Sequence, residues 1–463
     1  MKINQKTGQI RLALDVIKMG EAWLDYTQGI LLLTEEDLSE RLGKNDSLLE
    51  LILSDGNIEQ AMSQVIKNKG SAGIDGMQTK DLRKYMKKNW QKIKSQILEG
   101  KYKPQAVKQI EIPKSNGKKR KLGIPTVIDR TIQQAINQIL QKIWEPRFSD
   151  NSYGFRPKRS AHQAIKKLKS YVAEGDTWCV DVDLKDFFNE VNHDKLMYRM
   201  FEQVTDKRVL KLVRKYLQSG ILANGLVSSP DKGTPQGSPL SPLLSNIVLN
   251  DLDQELESRG HRFVRYADDF RLQVKSERAA NRVMESITDY IEKELKLKVN
   301  KEKSQIVEGS KINFLGYRVL KRKEGPRLGL SQMSHLKLKS KIRYLTRKMR
   351  YRSLANVIKD LNSYLKGWQG YFGYIETPSV FKKYNGWIRR RLRALVWRKW
   401  ENGRNRFYQL CKLGVSKGIA RAAATSKNQG PEHVSTSMGI NMGLNNEYFE
   451  DLGLYELIPR LTC

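Results

Sequence analysis

Apolar residues recur every three or four positions over most of the chain, which is the spacing of amphipathic helices. The first clear segment runs from Asn45 to Lys69 and begins with Leu48, Leu49 and Ile52. It stops in a stretch that contains two glycines, as helix ends often do. The same spacing predicts helices over Leu82–Ile97, Pro125–Pro146, Ala161–Ala173, Leu243–Leu256, Ala279–Leu297, Ser334–Arg350, Leu354–Leu365 and Val380–Trp400, with a short one near Tyr448–Leu461.

Alternation of apolar and polar residues predicts the strands. A hairpin is expected from Val107–Pro113 and Lys119–Ile124, and a single strand from Trp178 to Leu184. Two more strands are predicted over Val299–Ile306 and Ile312–Val319. Helices mixed with such strands predict an α+β fold.

Charge is the strongest signal in the composition. The chain of 463 residues carries 84 Lys and Arg against 50 Asp and Glu, a net charge of +34. Because a folded protein with so much self-repulsion usually binds a polyanion, we expect a nucleic-acid partner. The length predicts two or three domains.

Several classes of protein are not expected. No apolar run is long enough to cross a bilayer, and the first twenty residues do not have the pattern of a signal peptide. We therefore expect no membrane partner and a cytoplasmic location. The three cysteines are scattered and predict neither a disulfide framework nor a zinc site.

Two adjacent carboxylates mark the tip of a predicted hairpin, Tyr266-Ala267-Asp268-Asp269. Like charges about 4 Å apart repel by roughly 4 kcal/mol at an effective dielectric constant of about 20, a cost that a divalent metal ion would remove. A solvated Asp-Asp turn is the alternative. On the strand before it, Asp181 and Asp183 share one face, and acidic residues on an otherwise apolar strand are costly unless they are paired or bind a ligand.

Three other segments combine charge, aromatic rings or glycine. In the hairpin over 107–124, the turn and the second strand hold five basic residues, which indicates either a phosphate clamp or a solvated strand edge. The loop Phe148–Ser160 has rings and bases that suit a single nucleic-acid strand, or it only links two helices. The stretch Gly233–Pro242 leads directly into a helix, where exposed backbone N–H groups favour an anion or a closely approaching ligand.

Four motifs, in this order, resemble the reverse transcriptases of the group II intron type. They are Asp183-Leu184-Lys185-Asp186-Phe187-Phe188, Thr234-Pro235-Gln236-Gly237-Ser238-Pro239-Leu240-Ser241-Pro242, Tyr266-Ala267-Asp268-Asp269 and Phe314-Leu315-Gly316-Tyr317. The resemblance covers nearly the whole chain after about residue 45. It implies a right-hand polymerase, with fingers and palm built around an antiparallel sheet and an α-helical thumb and maturase domain after them.

The resemblance also implies a domain order. It consists of an N-terminal segment of unclear role over 1–45, an N-terminal extension with fingers over 46–175, a palm with the catalytic aspartates over 176–330, a helical thumb and maturase region over 331–410 and a C-terminal extension over 411–463. DNA binding is a candidate role for the last segment. We expect neither an HNH endonuclease nor an RNase H domain, because the residues after 410 carry no paired cysteines and leave no room for an acidic quartet.

The resemblance implies that Asp183, Asp268 and Asp269 are catalytic and, with Leu184, form the metal site. Asp183 and Asp268 would bridge two Mg²⁺ ions, for which Mn²⁺ can substitute, and Asp269 would complete the set. Nucleotidyl transfer uses two ions about 3.5–4 Å apart, and Mg²⁺ prefers hard oxygen ligands. Asp181 is the rival of Asp183, which is preferred because it matches the family's position before a pair of phenylalanines.

The resemblance assigns further contacts. The residues implied to bind the nucleotide are Lys114, Arg120, Phe188, Gln236 and Lys303. The residues implied to bind nucleic acid are Arg156, Lys158, Arg159, Tyr266, Gly316, Arg389, Arg390 and Arg393. Phe188 would exclude a ribose 2′-OH, with a core aromatic as the alternative, and Lys303 would protonate pyrophosphate, with Lys301 as its rival.

The implied function is RNA-directed DNA synthesis by the protein of a mobile group II intron, which also assists splicing. Its expected partners are intron RNA, an RNA template with a DNA primer, target DNA and dNTPs, with a homodimer as a further candidate, in the bacterial cytosol or nucleoid. One alternative is a splicing-only maturase, which the retained acidic pair disfavours. The other is a group II-like reverse transcriptase recruited to DNA repair or phage defence.

Overall fold

The computed structural model describes residues 35–113, 119–223, 226–228, 231–234, 237–347, 352–425 and 437–460. The chain divides into two compact units, one of residues 1–171 and 176–306 and the other of residues 172–175 and 307–463. This division is coarser than the five predicted domains, whose bounds stay predictions. None of the described helices is both long and apolar enough to cross a membrane.

The first unit contains the sheet that carries most of the predicted acidic residues. Its strands are β3 (Trp178–Asp183), β6 (Arg262–Tyr266), β7 (Asp269–Val274) and β8 (Gln305–Glu308), in the order β6-β7-β3-β8. β7 is antiparallel to both β6 and β3. The predicted strand at 178 and the predicted hairpin around 266–269 are therefore neighbours.

A second sheet of this unit contains the basic hairpin. Its strands are β1 (Val107–Pro113), β2 (Lys119–Ile124), β4 (Ile221–Ala223) and β5 (Leu226–Ser228), in the order β2-β1-β4-β5. The prediction for β1 and β2 is confirmed at both ends. β4 and β5 were not predicted, since three residues are too few to show an alternation, and β4 joins β1 in parallel.

Helices pack around these sheets and form one continuous apolar core. Helix α5 (Val127–Trp144) lies deep in it, with Thr126 capping its first turn by accepting from the Asp129 amide. The helices over residues 35–293 are α1 (Glu35–Gly43), α2 (Leu48–Ile52), α3 (Asp55–Asn68), α4 (Leu82–Leu98), α5 (Val127–Trp144), α6 (Ala161–Ala173), α7 (Phe187–Glu190), α8 (His193–Phe201), α9 (Lys207–Leu217), α10 (Ser241–Ser258) and α11 (Glu277–Lys293).

The second unit has a small antiparallel sheet and a series of helices. The strands are β9 (Asn313–Phe314), β10 (Tyr317–Leu320) and β11 (Arg327–Leu330), with β10 in the centre. The helices are α12 (Gln332–Arg347), α13 (Leu354–Phe372), α14 (Ser379–Lys399), α15 (Gly403–Lys412), α16 (Lys417–Thr425), α17 (Met438–Gly443) and α18 (Asn446–Asp451).

Three predicted elements were wrong. The predicted strand Ile312–Val319 is a tight hairpin instead, because Leu315 and Gly316 both have positive φ, 49° and 83°, which reverses the chain. Only the end of the predicted strand Val299–Ile306 is a strand, since β8 begins at Gln305. The short C-terminal helix ends at Asp451, and the segment after it bonds to amide side chains of α13 and α14.

Candidate active site

Asp183 and Asp269 face each other across β3 and β7 as partners in the antiparallel register. Asp183 is the last residue of its strand and Asp269 the first of its own, so both stand at one end of the sheet. Asp268 lies in the turn that joins β6 to β7. Leu184 follows Asp183 and forms an isolated antiparallel bridge with Val299. The fold thus brings together the four residues predicted for the metal site.

The segment 300–304 wraps around Asp183. The Asp183 Oδ2 accepts from Lys303 Nζ at 2.9 Å and from Asn300 Nδ2 at 3.0 Å. The Asn300 amide donates to the Asp183 carbonyl at 2.8 Å, and Ser304 Oγ accepts from the Asp183 amide at 3.0 Å. Of the two lysines considered from sequence, it is Lys303 that reaches this carboxylate, while Lys301 lines a separate groove beside α11.

Arg271 bridges Asp181 and Asp269. Its Nη1 is 2.7 Å from the Asp181 Oδ1 and also bonds to the Asp269 Oδ1. Burial raises the pKa of Asp181, and the adjacent Arg271 opposes that shift. Asp181 is therefore held by an arginine on the next strand, and Asp183 is the member of the pair that stands opposite Asp269.

Arg265 was missed by sequence reasoning. Its side chain is fully buried in an ion pair with Asp253 of α10, which is also fully buried. Its Nη1 donates to Asn246 Oδ1 at 3.0 Å and to the Ala267 carbonyl at 2.9 Å, so it reaches back to the turn that carries Asp268. The one available signal was an arginine inside the apolar β6.

A cavity of about 520 Å³ opens beside this turn. Phe188 and Asp268 line it together with the exposed ring of Phe155. Phe188 packs edge-on against the buried Phe187, with ring centroids 5.3 Å apart. The other residues that line the cavity are Val65, Asn68, Gly70, Leu122, Arg130, Gln134, Gly237, Ser238, Pro239, Ser241 and Pro242.

The glycine-rich loop borders the same cavity. The Thr234 amide donates to the Phe188 carbonyl at 2.6 Å. Gly237 has a φ of 110°, and a Cβ there would come within 2.6 Å of the Gly123 carbonyl oxygen, so glycine permits this close packing. Gln236 and Lys114 lie outside the described residues. Arg120 pairs with Ile112 through its backbone, and its side chain is not described.

The sequence matches two known protein families. Residues 112–319 match the family described as "Reverse transcriptase (RNA-dependent DNA polymerase)", and residues 335–413 match "Group II intron, maturase-specific domain". The protein YkfC of Escherichia coli is 33% identical over 317 residues, which span 60% of this chain and 83% of YkfC. The chain belongs to the group II intron type of reverse transcriptases. This membership confirms the expected right-hand α+β polymerase fold and makes the chain an RNA-directed DNA polymerase.

The match covers a smaller share of other similar proteins. The group II intron-encoded protein LtrA of Lactococcus lactis is 31% identical over 331 residues, and the chain spans 55% of LtrA. A solved structure of apo telomerase from Candida tropicalis covers 50% of this reverse transcriptase at 14% identity, with a TM-score of 0.38 and 58% of that chain matched. A partial Cas6-RT-Cas1–Cas2 complex covers 53% of this chain at 24% identity, with a TM-score of 0.33 and 43% of that chain matched.

The predicted nucleic-acid contacts of loop 148–160 divide into two kinds. The Arg156 side chain is only 3% exposed and pairs with Glu145, and it also donates to the carbonyls of Ser149 and Ser152. This reverse transcriptase therefore uses Arg156 to hold its own loop, which corrects the prediction for that residue. Lys158 is exposed. The nucleic-acid contacts of Lys158 and Arg159 stay predictions.

The candidates of the second unit also differ in exposure. Gly316 is a turn residue whose carbonyl accepts from Ser331 and Ser334. Arg393 donates to the Leu444 carbonyl at 2.6 Å, and burial lowers its pKa, with repulsion from Arg389 and Arg390 adding to the shift. Arg389 is largely covered and lies 3.7 Å from Glu456, whereas Arg390 is exposed. Of the three arginines, Arg390 is the best placed for a ligand.

The acidic residues fit a hard divalent cation in their chemistry. Carboxylate oxygens are the ligands that Mg²⁺ prefers. In the part of the chain that the structure describes, no three His, Cys, Asp or Glu side chains are grouped as a metal site. Positive charge is instead supplied by Lys303 at Asp183 and by Arg271 at Asp269.

Proposed function

We propose that this reverse transcriptase is the protein of a group II intron, copies RNA into DNA with two divalent metal ions and helps the intron to splice. The observation that carries the catalytic part is the pairing of Asp183 with Asp269 at one end of the sheet, with Asp268 in the adjoining turn. Of these three residues, Asp268 lines a cavity of about 520 Å³, which is large enough for a nucleotide.

Asp183, Asp268 and Asp269, with the Leu184 carbonyl, would hold the ions, either Mg²⁺ or Mn²⁺. Bound there, the ions would lower the pKa of a primer 3′-hydroxyl and neutralise the triphosphate. Lys303 pairs with Asp183, and it is the proposed proton donor toward pyrophosphate. Asn300 holds the same carboxylate oxygen and so fixes its orientation.

The cavity beside the turn is proposed as the nucleotide site. It places the Phe188 ring and the Asp268 carboxylate on one surface. A ring at that position would collide with a ribose 2′-hydroxyl and would therefore favour dNTPs. Gln236, Lys114 and Arg120 remain predicted contacts for the base and the phosphates.

The decisive test is incorporation of a dNTP on an RNA template with a DNA primer. We expect incorporation by the native chain and a loss of about 100- to 1000-fold in Asp268→Ala, which is the range that removal of one group stabilising transition-state charge costs. Asp289→Asn is the control, since this carboxylate is exposed on α11 and pairs with Lys293. Equal rates in the native chain and Asp268→Ala would contradict the proposal.

The splicing role is supported by the maturase-domain match over 335–413 and by the net charge of +34. Intron RNA would be bound mainly through its backbone and shape. The proposal predicts that the protein lowers the Mg²⁺ concentration that its cognate intron needs to splice, and that Asp268→Ala keeps this effect. An unchanged Mg²⁺ requirement would argue against it.

The remaining partners follow from the same proposal. Target DNA, dNTPs and a second copy of the chain are its expected partners, and the bacterial cytosol or nucleoid is the expected location. The intron itself would be recognised as ribozyme sequence in the DNA that flanks the gene. Absence of ribozyme sequence from the flanking DNA would favour a recruited role in repair or defence.

A further inference from the structure

Buried hydrogen bonds from Arg265 and Asn246 link the turn that carries Asp268 to its surroundings. The Arg265 guanidinium donates to Asn246 Oδ1 and to the Ala267 carbonyl. Asn246 Nδ2 in turn donates to the Gly154 carbonyl at 2.9 Å. A Cβ built on Gly154 would overlap the Ala267 nitrogen, so Gly154 lies directly against the turn.

The guanidinium is itself anchored at its other edge. Arg265 Nε donates to Asp253 Oδ1 at 2.7 Å, and Nη2 bonds to the second oxygen of that carboxylate. Both side chains are fully buried, as is Asn246. A planar fork that binds a carboxylate on one edge and a carbonyl on the other is a geometry that lysine cannot reproduce.

The turn needs such support. Ala267 has a φ of 59°, in the left-handed region that residues other than glycine, asparagine and aspartate seldom adopt. Backbone of this kind persists where the surroundings hold it in place, and it is concentrated at functional sites. The next residue is Asp268, so the conformation of Ala267 sets the direction of its carboxylate.

We propose that Arg265 is a positioning residue of the polymerase, which ties the Ala267-Asp268 turn to helix α10 and so fixes where the Asp268 carboxylate stands. The proposal rests on the catalytic role of Asp268 proposed above. A buried ion pair is weak evidence for a stabilising role, because apolar replacement of such a pair is often neutral or favourable. The bond from Arg265 to the Ala267 carbonyl gives this pair a role besides stability, which is to hold the turn.

The experiment compares the replacement of two ion pairs whose arginines both lie on β6. Arg265→Met with Asp253→Leu removes the pair and the bond to Ala267 together. Arg262→Met with Asp176→Leu is the matched control, since that pair lies at the far end of β6 with a separation of 2.9 Å. Arg265→Lys is a third variant, which keeps the charge opposite Asp253 and loses the fork.

We expect kcat for single-dNTP incorporation to fall about 100-fold in both Arg265 variants, the loss typical of a small misplacement of a reacting group. The KM for dNTP should stay within about twofold, because Arg265 does not line the cavity and its lining residues other than Asp268 are unchanged. The control should keep the native kcat within about threefold. Native kcat in an Arg265 variant that keeps the native urea midpoint would overturn the proposal, as would an equal loss of kcat in the control.

Hydrogen exchange of the peptide over residues 264–270 tests the same idea without activity. In the native chain this peptide should be protected as well as β7, and in the Arg265 variants it should exchange at least about tenfold faster. Rapid exchange in the native chain overturns the proposal even where no variant folds. If the native chain fails to incorporate dNTP, the proposed function is contradicted. Hydrogen exchange still tests whether Arg265 fixes the turn.

Discussion

Asp183 and Asp269 are direct cross-strand partners, and each carboxylate has its own cation. Like charges directly opposite one another destabilise a sheet. Lys303 and Arg271 offset that repulsion, and Arg271 also binds Asp181. A metal ion that binds these carboxylates would therefore have to compete with these cations.

Replacing Lys303 tests this competition. Its ammonium lies 2.9 Å from the Asp183 carboxylate, and both side chains are partly exposed. Exposed pairs of this kind are worth about 0.2–1 kcal/mol, so Lys303→Met should tighten Mn²⁺ binding by a factor of about 1.4 to 5 in the absence of nucleotide. Titration followed by electron paramagnetic resonance measures the affinity. Lys301→Met is the control, and weaker binding in Lys303→Met would contradict the competition.

Shortening Phe188 should relax the choice of sugar. The ring lines the proposed nucleotide cavity with Asp268, and its removal would leave space for a 2′-hydroxyl. We expect Phe188→Ala to raise the ratio of rNTP to dNTP incorporation by about 10- to 100-fold, which corresponds to about 1.4–2.8 kcal/mol. Phe155→Ala, another aromatic of the same cavity, should leave the ratio unchanged. An unchanged ratio in Phe188→Ala would make Phe188 a packing residue.

Asp206 links the chain near α2 to the start of α9. It accepts from the Leu49 amide at 3.0 Å and pairs with Arg208 at 2.9 Å. Burial alone would raise the pKa of Asp206, but the hydrogen bonds from Arg208 and Leu49 outweigh it and hold the pKa below its usual value. Such a group stabilises the fold above its unfolded pKa of about 3.9 and loses that effect as the pH falls through its folded pKa.

Asp206→Asn should therefore lower the free energy of unfolding by about 1–3 kcal/mol at pH 6, as loss of a charged hydrogen-bond acceptor does. The difference from the native chain should shrink at pH 3. Urea midpoints at both pH values measure it, with the exposed Asp289→Asn as control. A difference that is the same at both pH values would show that the carboxylate charge is not involved.

Asn385 fastens the C-terminal segment to α14. Its Nδ2 donates to the Leu457 carbonyl at 2.8 Å, and its Oδ1 accepts from the Leu457 amide at 3.0 Å. Asn385→Ala leaves both backbone groups without these partners, at a cost of about 1–3 kcal/mol. We expect faster limited proteolysis between residues 452 and 460. The exposed Asn356→Ala is the control, and unchanged proteolysis of Asn385→Ala would show that other contacts hold the segment.

The sequence was most informative where the signal is local. The hairpin β1–β2 was predicted at both ends, because five residues rich in turn formers separate two alternating runs. The helix Ala161–Ala173 was also predicted at both ends. Prediction was wrong at Ile312–Val319, where two positive φ values reverse a chain whose hydrophobic pattern continues through the turn.

The sequence by itself determined the family, the order of the motifs and most helices and strands, since these depend on neighbouring residues. Only the tertiary structure decided which polar side chains meet. Lys303 reaches Asp183 across 120 positions, Arg156 bonds to its own loop and to Glu145, and Arg265 is buried against Asp253 and the turn that carries Asp268. Such contacts depend on how distant segments pack, because a charge in the sequence has no partner until the fold supplies one.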